Sequence, residues 1–156
     1  MIGPTGCGPK GKPDFHQTTD VTAAAGGSAF FTLHFSNICG LRSNISSVEH
    51  HLFPSFPILL LLSELQLIKA AAPKPLQVPN YNHCTYFCSK GGVCAYCNTR
   101  TPIARLMELE SSLYDVIWLK ISLPTMIIFL CFLYCSPNST NYLELFDYLR
   151  SYFFTP

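Results

Sequence analysis

The run Ile58-Leu59-Leu60-Leu61-Leu62, set between Pro57 and Ser63-Glu64, constrains this chain more than any other stretch. Five aliphatic residues in succession have the length of a strand and no polar face, which suits a strand covered on both sides.

The neighbouring segments alternate strand-like and helix-like patterns. Residues 1–28 are rich in Gly, Pro, Thr and Ala and read as a disordered lead-in, so residues 29–156 form the expected domain. Ala29 to Phe35 is apolar and β-rich, and runs into a loop at Ser36-Asn37-Ile38-Cys39-Gly40. Ser46 and Glu49 have capping-box spacing, which predicts a short helix over about 47–53, stopped by Pro54 and Pro57. Residues 69–80 read as a Pro-rich loop. Strands are expected at Tyr81 to Phe87 and Gly92 to Cys97 around Ser89-Lys90-Gly91. A hairpin is expected from Asp115 to Ser122 and Ile127 to Tyr134, turning at Pro124-Thr125. In its first arm Val116, Trp118 and Lys120 share one face, and Ile117, Leu119 and Ile121 share the other. Tyr142, Leu145, Phe146, Leu149 and Phe153 then follow helix spacing behind a Ser139 or Thr140 cap. The pattern is α/β, a mixed or antiparallel sheet flanked by helices.

Composition narrows the function classes. The net charge of +1 offers no basic field for nucleic acid, so any such function has to rest on a specific site. Only 12% of residues are charged, against about 25% in ordinary chains. Residues 1–11 hold no apolar core of signal-peptide length, so neither secretion nor a disulfide framework is expected, and a nuclear or cytoplasmic localisation is the expectation. Most of the eight cysteines, Cys94, Cys131 and Cys135 among them, read as small hydrophobes in apolar runs.

Three polar residues each close a strand: Asn37, Glu64 and Tyr134. A carboxylate at the end of a buried strand projects from a rigid base, which is where α/β enzymes place working groups. Each also has a plainer reading, as a turn asparagine, a solvated glutamate and a core tyrosine. If their strands are neighbours, the three converge at one rim. They would then offer oxygen ligands for a hard cation and a hydroxyl for a phosphate.

The ordered series Asn37-Ile38-Cys39-Gly40-Leu41, Leu59 to Glu64, Gly91-Gly92-Val93-Cys94-Ala95-Tyr96, Asp115 to Lys120, and Phe132-Leu133-Tyr134-Cys135-Ser136-Pro137-Asn138 resembles the endonuclease/exonuclease/phosphatase superfamily. Within it the chain is most similar to the front portion of the endonuclease domain of LINE-type non-LTR retrotransposons, over about residues 29–153. The resemblance implies a truncated DNase I-like β-sandwich and Mg²⁺-dependent cleavage of DNA. It implies that Asn37 helps hold metal and phosphate, that Glu64 ligates Mg²⁺, and that Tyr134 contacts the scissile phosphate. Gly91-Gly92 matches the glycine pair before a core strand. The implied partners are DNA, the missing C-terminal half-domain and the reverse transcriptase of the parent element.

Two departures stand out. Leu65 occupies the position after the metal glutamate where the family usually has Thr. The family's Gly-Asp-Phe-Asn and Ser-Asp-His motifs have no counterpart; Asp147 lies inside the last helix. Without the groups those motifs supply, the chain is expected to be inactive alone, since groups acting as a unit fail together. It is also expected to hold only the first sheet of the sandwich, leaving one apolar face uncovered and the product poorly soluble.

Two other readings stay open. Residues 117–135 are apolar enough to suggest a single membrane span, although Lys120 and Pro124 interrupt them. Cys84, Cys88, Cys94 and Cys97 could form a zinc module, although Cys94 and Cys97 would fall on opposite faces of one strand.

Overall fold

The computed structural model describes residues 23–25, 29–67, 76–88 and 90–153. Most of the sequence-predicted lead-in and the centre of the Pro-rich loop lie outside them. Within the lead-in, β1 (Ala23–Ala25) pairs antiparallel with β2 (Ala29–Phe31). The first main sheet holds β3 (Leu33–Asn37), β4 (Leu59–Ser63), β5 (Tyr81–Tyr86) and β6 (Val93–Asn98), in the order β3-β4-β6-β5. β3 and β4 are parallel and the other pairs antiparallel, so the sheet is mixed. The second sheet is antiparallel: β7 (Ile103–Arg105), β8 (Asp115–Ser122) and β9 (Ile127–Tyr134), with β8 in the middle.

Every residue of β4 is buried. Its alternate side chains serve two cores, as a strand covered on both faces must. Leu60 and Leu62, with Cys94 and Tyr96 of β6, pack against Leu41, Val48 and Leu52 of helix α1 (Leu41–Ser55). Leu59 and Leu61, with Val93, Ala95 and Cys97, meet Ile117, Leu119, Ile121 and Phe132 of the second sheet. On the far side, Trp118 of β8 contacts Tyr152 and Phe153 of helix α2 (Tyr142–Phe153) and donates from Nε1 to the Tyr148 hydroxyl at 2.9 Å. The result is four layers: helix, sheet, sheet, helix.

This arrangement corrects the expectation of a lone first sheet with one bare face. The hairpin β8–β9 belongs to the second sheet, and its Ile117, Leu119 and Ile121 cover the face that was expected to be open. The membrane-span reading also falls. Residues 117–135 bend at Pro124-Thr125 into two strands, and among the described residues no helix is long and apolar enough to cross a membrane.

α1 is longer than the sequence-predicted 47–53. It begins at Leu41, where Asn44 Nδ2 donates to the Ile38 and Gly40 carbonyls at 3.1 and 2.9 Å. Ser46 and Glu49 therefore lie inside the helix and do not cap it. The true register is carried by Leu41, Val48 and Leu52, the residues that face the sheet. Pro54 sits in the final turn and Phe56 closes the helix in the left-handed region, its N–H bonded to the Leu52 carbonyl at 2.9 Å.

Candidate active site

The rim where Glu64 sits is built by ladders that continue past the ends of the strands. Beyond Ser63, the Gly40 N–H donates to the Glu64 carbonyl at 2.9 Å and the Leu41 N–H to the Leu65 carbonyl at 2.9 Å. On the other side the Leu65 N–H reaches the Gly92 carbonyl at 3.4 Å and the Gln66 N–H reaches the Gly91 carbonyl at 2.9 Å. Glu64 is thus clamped between two backbones, and it holds a positive φ of 56° that an L-residue adopts only at a cost. Leu65, at the position where the resembled family has Thr, is fully buried in the core under α1 and brings no hydroxyl to the rim.

The side chains then meet from both sheets. Tyr134, last residue of β9, reaches across from the second sheet and donates its hydroxyl to Glu64 Oε1 at 2.8 Å. Burial, followed by this bond and the nearby Glu64 and Asp115 carboxylates, holds the Tyr134 phenol well above its ordinary range, so it stays a proton donor. Asn37 closes β3 beside Ser63, and its Oδ1 accepts from the Cys39 N–H at 3.2 Å. The Cys39 sulfur, itself part of a disulfide, lies 3.4 Å from Asn37 Oδ1 and 3.4 Å from Glu64 Oε2. All three residues singled out in the sequence therefore gather at one rim. Cys39 joins them, so the reading of most cysteines as packing hydrophobes does not extend to this one.

A carboxylate oxygen and an amide oxygen facing one point are the hard donors that Mg²⁺ takes. The Cys39 sulfur stands at that point, so a cation held by both oxygens would displace it. Among the described residues no group of three or more His, Cys, Asp or Glu is placed to hold a metal. The zinc reading fails on the same ground: Cys94 belongs to the core under α1 and Cys97 to the core between the sheets.

Asp115 is the site residue that sequence reading missed. It opens β8 directly opposite Tyr134, and its Oδ2 accepts the Gly92 N–H at 2.7 Å. The signal was available by counting, because a hairpin that pairs Ser122 with Ile127 also pairs Asp115 with Tyr134.

No protein-family model matches the chain, and no curated protein matches it by sequence. Solved structures do. An AP endonuclease from Leishmania major superposes with a TM-score of 0.51 at 19% identity, over 75% of this chain and 43% of that one. The catalytic domain of Xenopus laevis APE2 superposes with a TM-score of 0.50 at 17% identity, over 73% of this chain and 48% of that one. The chain thus spans less than half the length of the nucleases it resembles. With its two facing sheets and outer helices, it carries part of a DNase I-like fold.

Proposed function

We propose that this chain is a partial, catalytically incomplete DNA phosphodiesterase, the front portion of a retrotransposon-type endonuclease. The observation that carries the reading is the Glu64–Tyr134 contact at 2.8 Å, just past the end of the inner strand β4 of a DNase I-like fold. Glu64, with Asn37, would hold Mg²⁺, and Tyr134 would present its hydroxyl to a phosphate oxygen. When bound, the cation would stabilise charge building on the phosphate. The residues here supply ligands and one proton donor. The motifs that supply a general base for water in the resembled family have no counterpart in the sequence.

The retrotransposon origin rests on the resemblance of five ordered segments, and the adjoining genomic sequence tests it. A downstream Gly-Asp-Phe-Asn motif followed by a reverse transcriptase is the expected continuation. The site reading is tested by calorimetric titration with Mn²⁺, a hard cation of suitable size. The wild-type chain should bind weakly and Glu64→Ala not at all; equal binding by both would overturn the reading. In a supercoiled-plasmid assay with Mg²⁺ the chain should give no nicks, and nicking that disappears in Glu64→Ala would refute its incompleteness.

A further inference from the structure

We propose that Asp115 is a positioning residue that sets Tyr134 on Glu64 by gripping the Gly91-Gly92 backbone. Its purpose depends on the Glu64–Tyr134 pair being the working rim, as proposed above; its geometry does not.

Asp115 and Tyr134 are directly opposed on β8 and β9, so their side chains leave the second sheet on the same face. Both reach the first sheet. The Asp115 carboxylate accepts from the Gly92 N–H at 2.7 Å, and the Tyr134 hydroxyl donates to Glu64 Oε1 at 2.8 Å. Gly91 lies between these two anchors. A Cβ there would collide with Asp115 Oδ2 and come within 3.2 Å of the Tyr134 ring. The absence of a side chain at Gly91 is therefore what lets the carboxylate and the ring close on the same stretch of backbone. Gly92 is equally constrained: its φ is +88°, and a Cβ would stand 2.9 Å from the Tyr86 carbonyl.

The same backbone holds the segment that follows β4 in turn. The Gly91 carbonyl accepts from Gln66 and the Gly92 carbonyl from Leu65, the two residues that follow Glu64. The contacts form a closed circuit, from Asp115 to Gly92, to Leu65 and Gln66, to Glu64, to Tyr134, and back across the hairpin to Asp115. Removing the Asp115 acceptor leaves the glycine pair untethered from the second sheet, and Tyr134 loses the wall against which its ring rests.

The test uses the full chain labelled with 3-fluorotyrosine, the Tyr134 fluorine resonance being the one lost in Tyr134→Phe. Asp115→Ala and Gly91→Ala should both move that resonance and weaken Mn²⁺ binding by about five- to tenfold, the scale of one ordinary hydrogen bond lost. Asp115→Asn keeps an acceptor oxygen and should restore most of both signals. If Asp115→Ala does not fold, Gly91→Ala and Asp115→Asn carry the comparison. A Tyr134 resonance unmoved in Gly91→Ala and Asp115→Ala, alongside a lowered melting temperature, would show that Asp115 only stabilises the fold. Asp115→Asn behaving like Asp115→Ala would also overturn the role assigned to the acceptor. Mn²⁺ binding that is indifferent to Glu64 would sink the nuclease reading alone, because the fluorine signal reports the ring whether or not metal binds.

Discussion

Tyr134 and Glu64, 70 residues apart in sequence, share a 2.8 Å hydrogen bond that joins the two sheets at their common rim. Tyr134→Phe removes the donor and leaves the ring. The loss should be about 1 kcal/mol of stability in urea denaturation, near the net value of one hydrogen bond at a half-exposed site. Unchanged stability would mean that water replaces the phenol at no cost.

The sulfur of Cys39 occupies the gap between Asn37 Oδ1 and Glu64 Oε2. Cys39→Ala empties the gap, so Mn²⁺ affinity should rise a few-fold over the wild type in calorimetry. A fall would show that the Cys39 linkage is what keeps the two oxygens in place.

The seam between the sheets should be the most sensitive part of the fold. Leu119 is fully buried there, and Leu119→Ala leaves a cavity costing roughly 2–5 kcal/mol. Against a usual total of about 5–15 kcal/mol, that approaches unfolding. Circular dichroism during urea titration reads the change, and a loss under about 1 kcal/mol would show that the second sheet is not packed as described.

Glu110 accepts from Arg105 Nε and Nη2, both at 2.8 Å, and from the Trp118 N–H at 3.3 Å. Side-chain exposures of 22% for Arg105 and 10% for Glu110 leave the pair partly hydrated. Glu110→Ala should cost about 2 kcal/mol, below the 3–5 kcal/mol of a wholly buried pair that loses one partner. Thermal melting checks it, and a neutral result would mark the pair as a surface ornament.

Cys84 should be the thiol that titrates near neutrality. A hydrogen bond from Cys97 outweighs the opposing effect of burial and, with the Arg105 charge, brings its pKa down from 9.0 to about 7. The thiolate is the nucleophile, so alkylation of Cys84 should climb as pH rises through that value and level off above it. Burial pushes Cys131 up to about 11 and Cys94 up to about 12, so both should stay unlabelled. Peptide mass spectrometry after iodoacetamide pulses gives the order; Cys94 labelling ahead of Cys84 would reverse the assignment.

β9 is an edge of its sheet, and on its outer side Ile127 is 56% and Phe129 60% exposed. Such an edge recruits other chains. Phe129→Lys should raise the soluble fraction with a change in melting temperature of only a degree or two, as for other exposed positions. Unchanged aggregation would point to the exposed Leu143 and Phe146 of α2 instead.

Some of this architecture was legible residue by residue. Four leucines in a row announced the doubly buried β4, the alternation from Val116 to Ile121 announced the two faces of β8, and the spacing from Tyr142 to Phe153 announced α2. Each pattern repeats along one element, so each can be read without knowing what packs against it. Strand ends likewise marked Asn37, Glu64 and Tyr134, while the resemblance supplied the roles proposed for them.

Other features came only with the packing. The sequence holds no sign that the hairpin crosses to a second sheet, because covering the Leu59 and Leu61 face is a contact between distant segments. The start of α1 at Leu41 depends on Asn44 bonding back to the Ile38 and Gly40 carbonyls, which the Ser46–Glu49 spacing concealed. The grip of Asp115 on Gly92 and the hold of Tyr134 on Glu64 join partners 23 and 70 residues apart. Local periodicity encodes which face of an element is apolar; which two faces meet, and which side chains touch where they do, is settled only when the layers close.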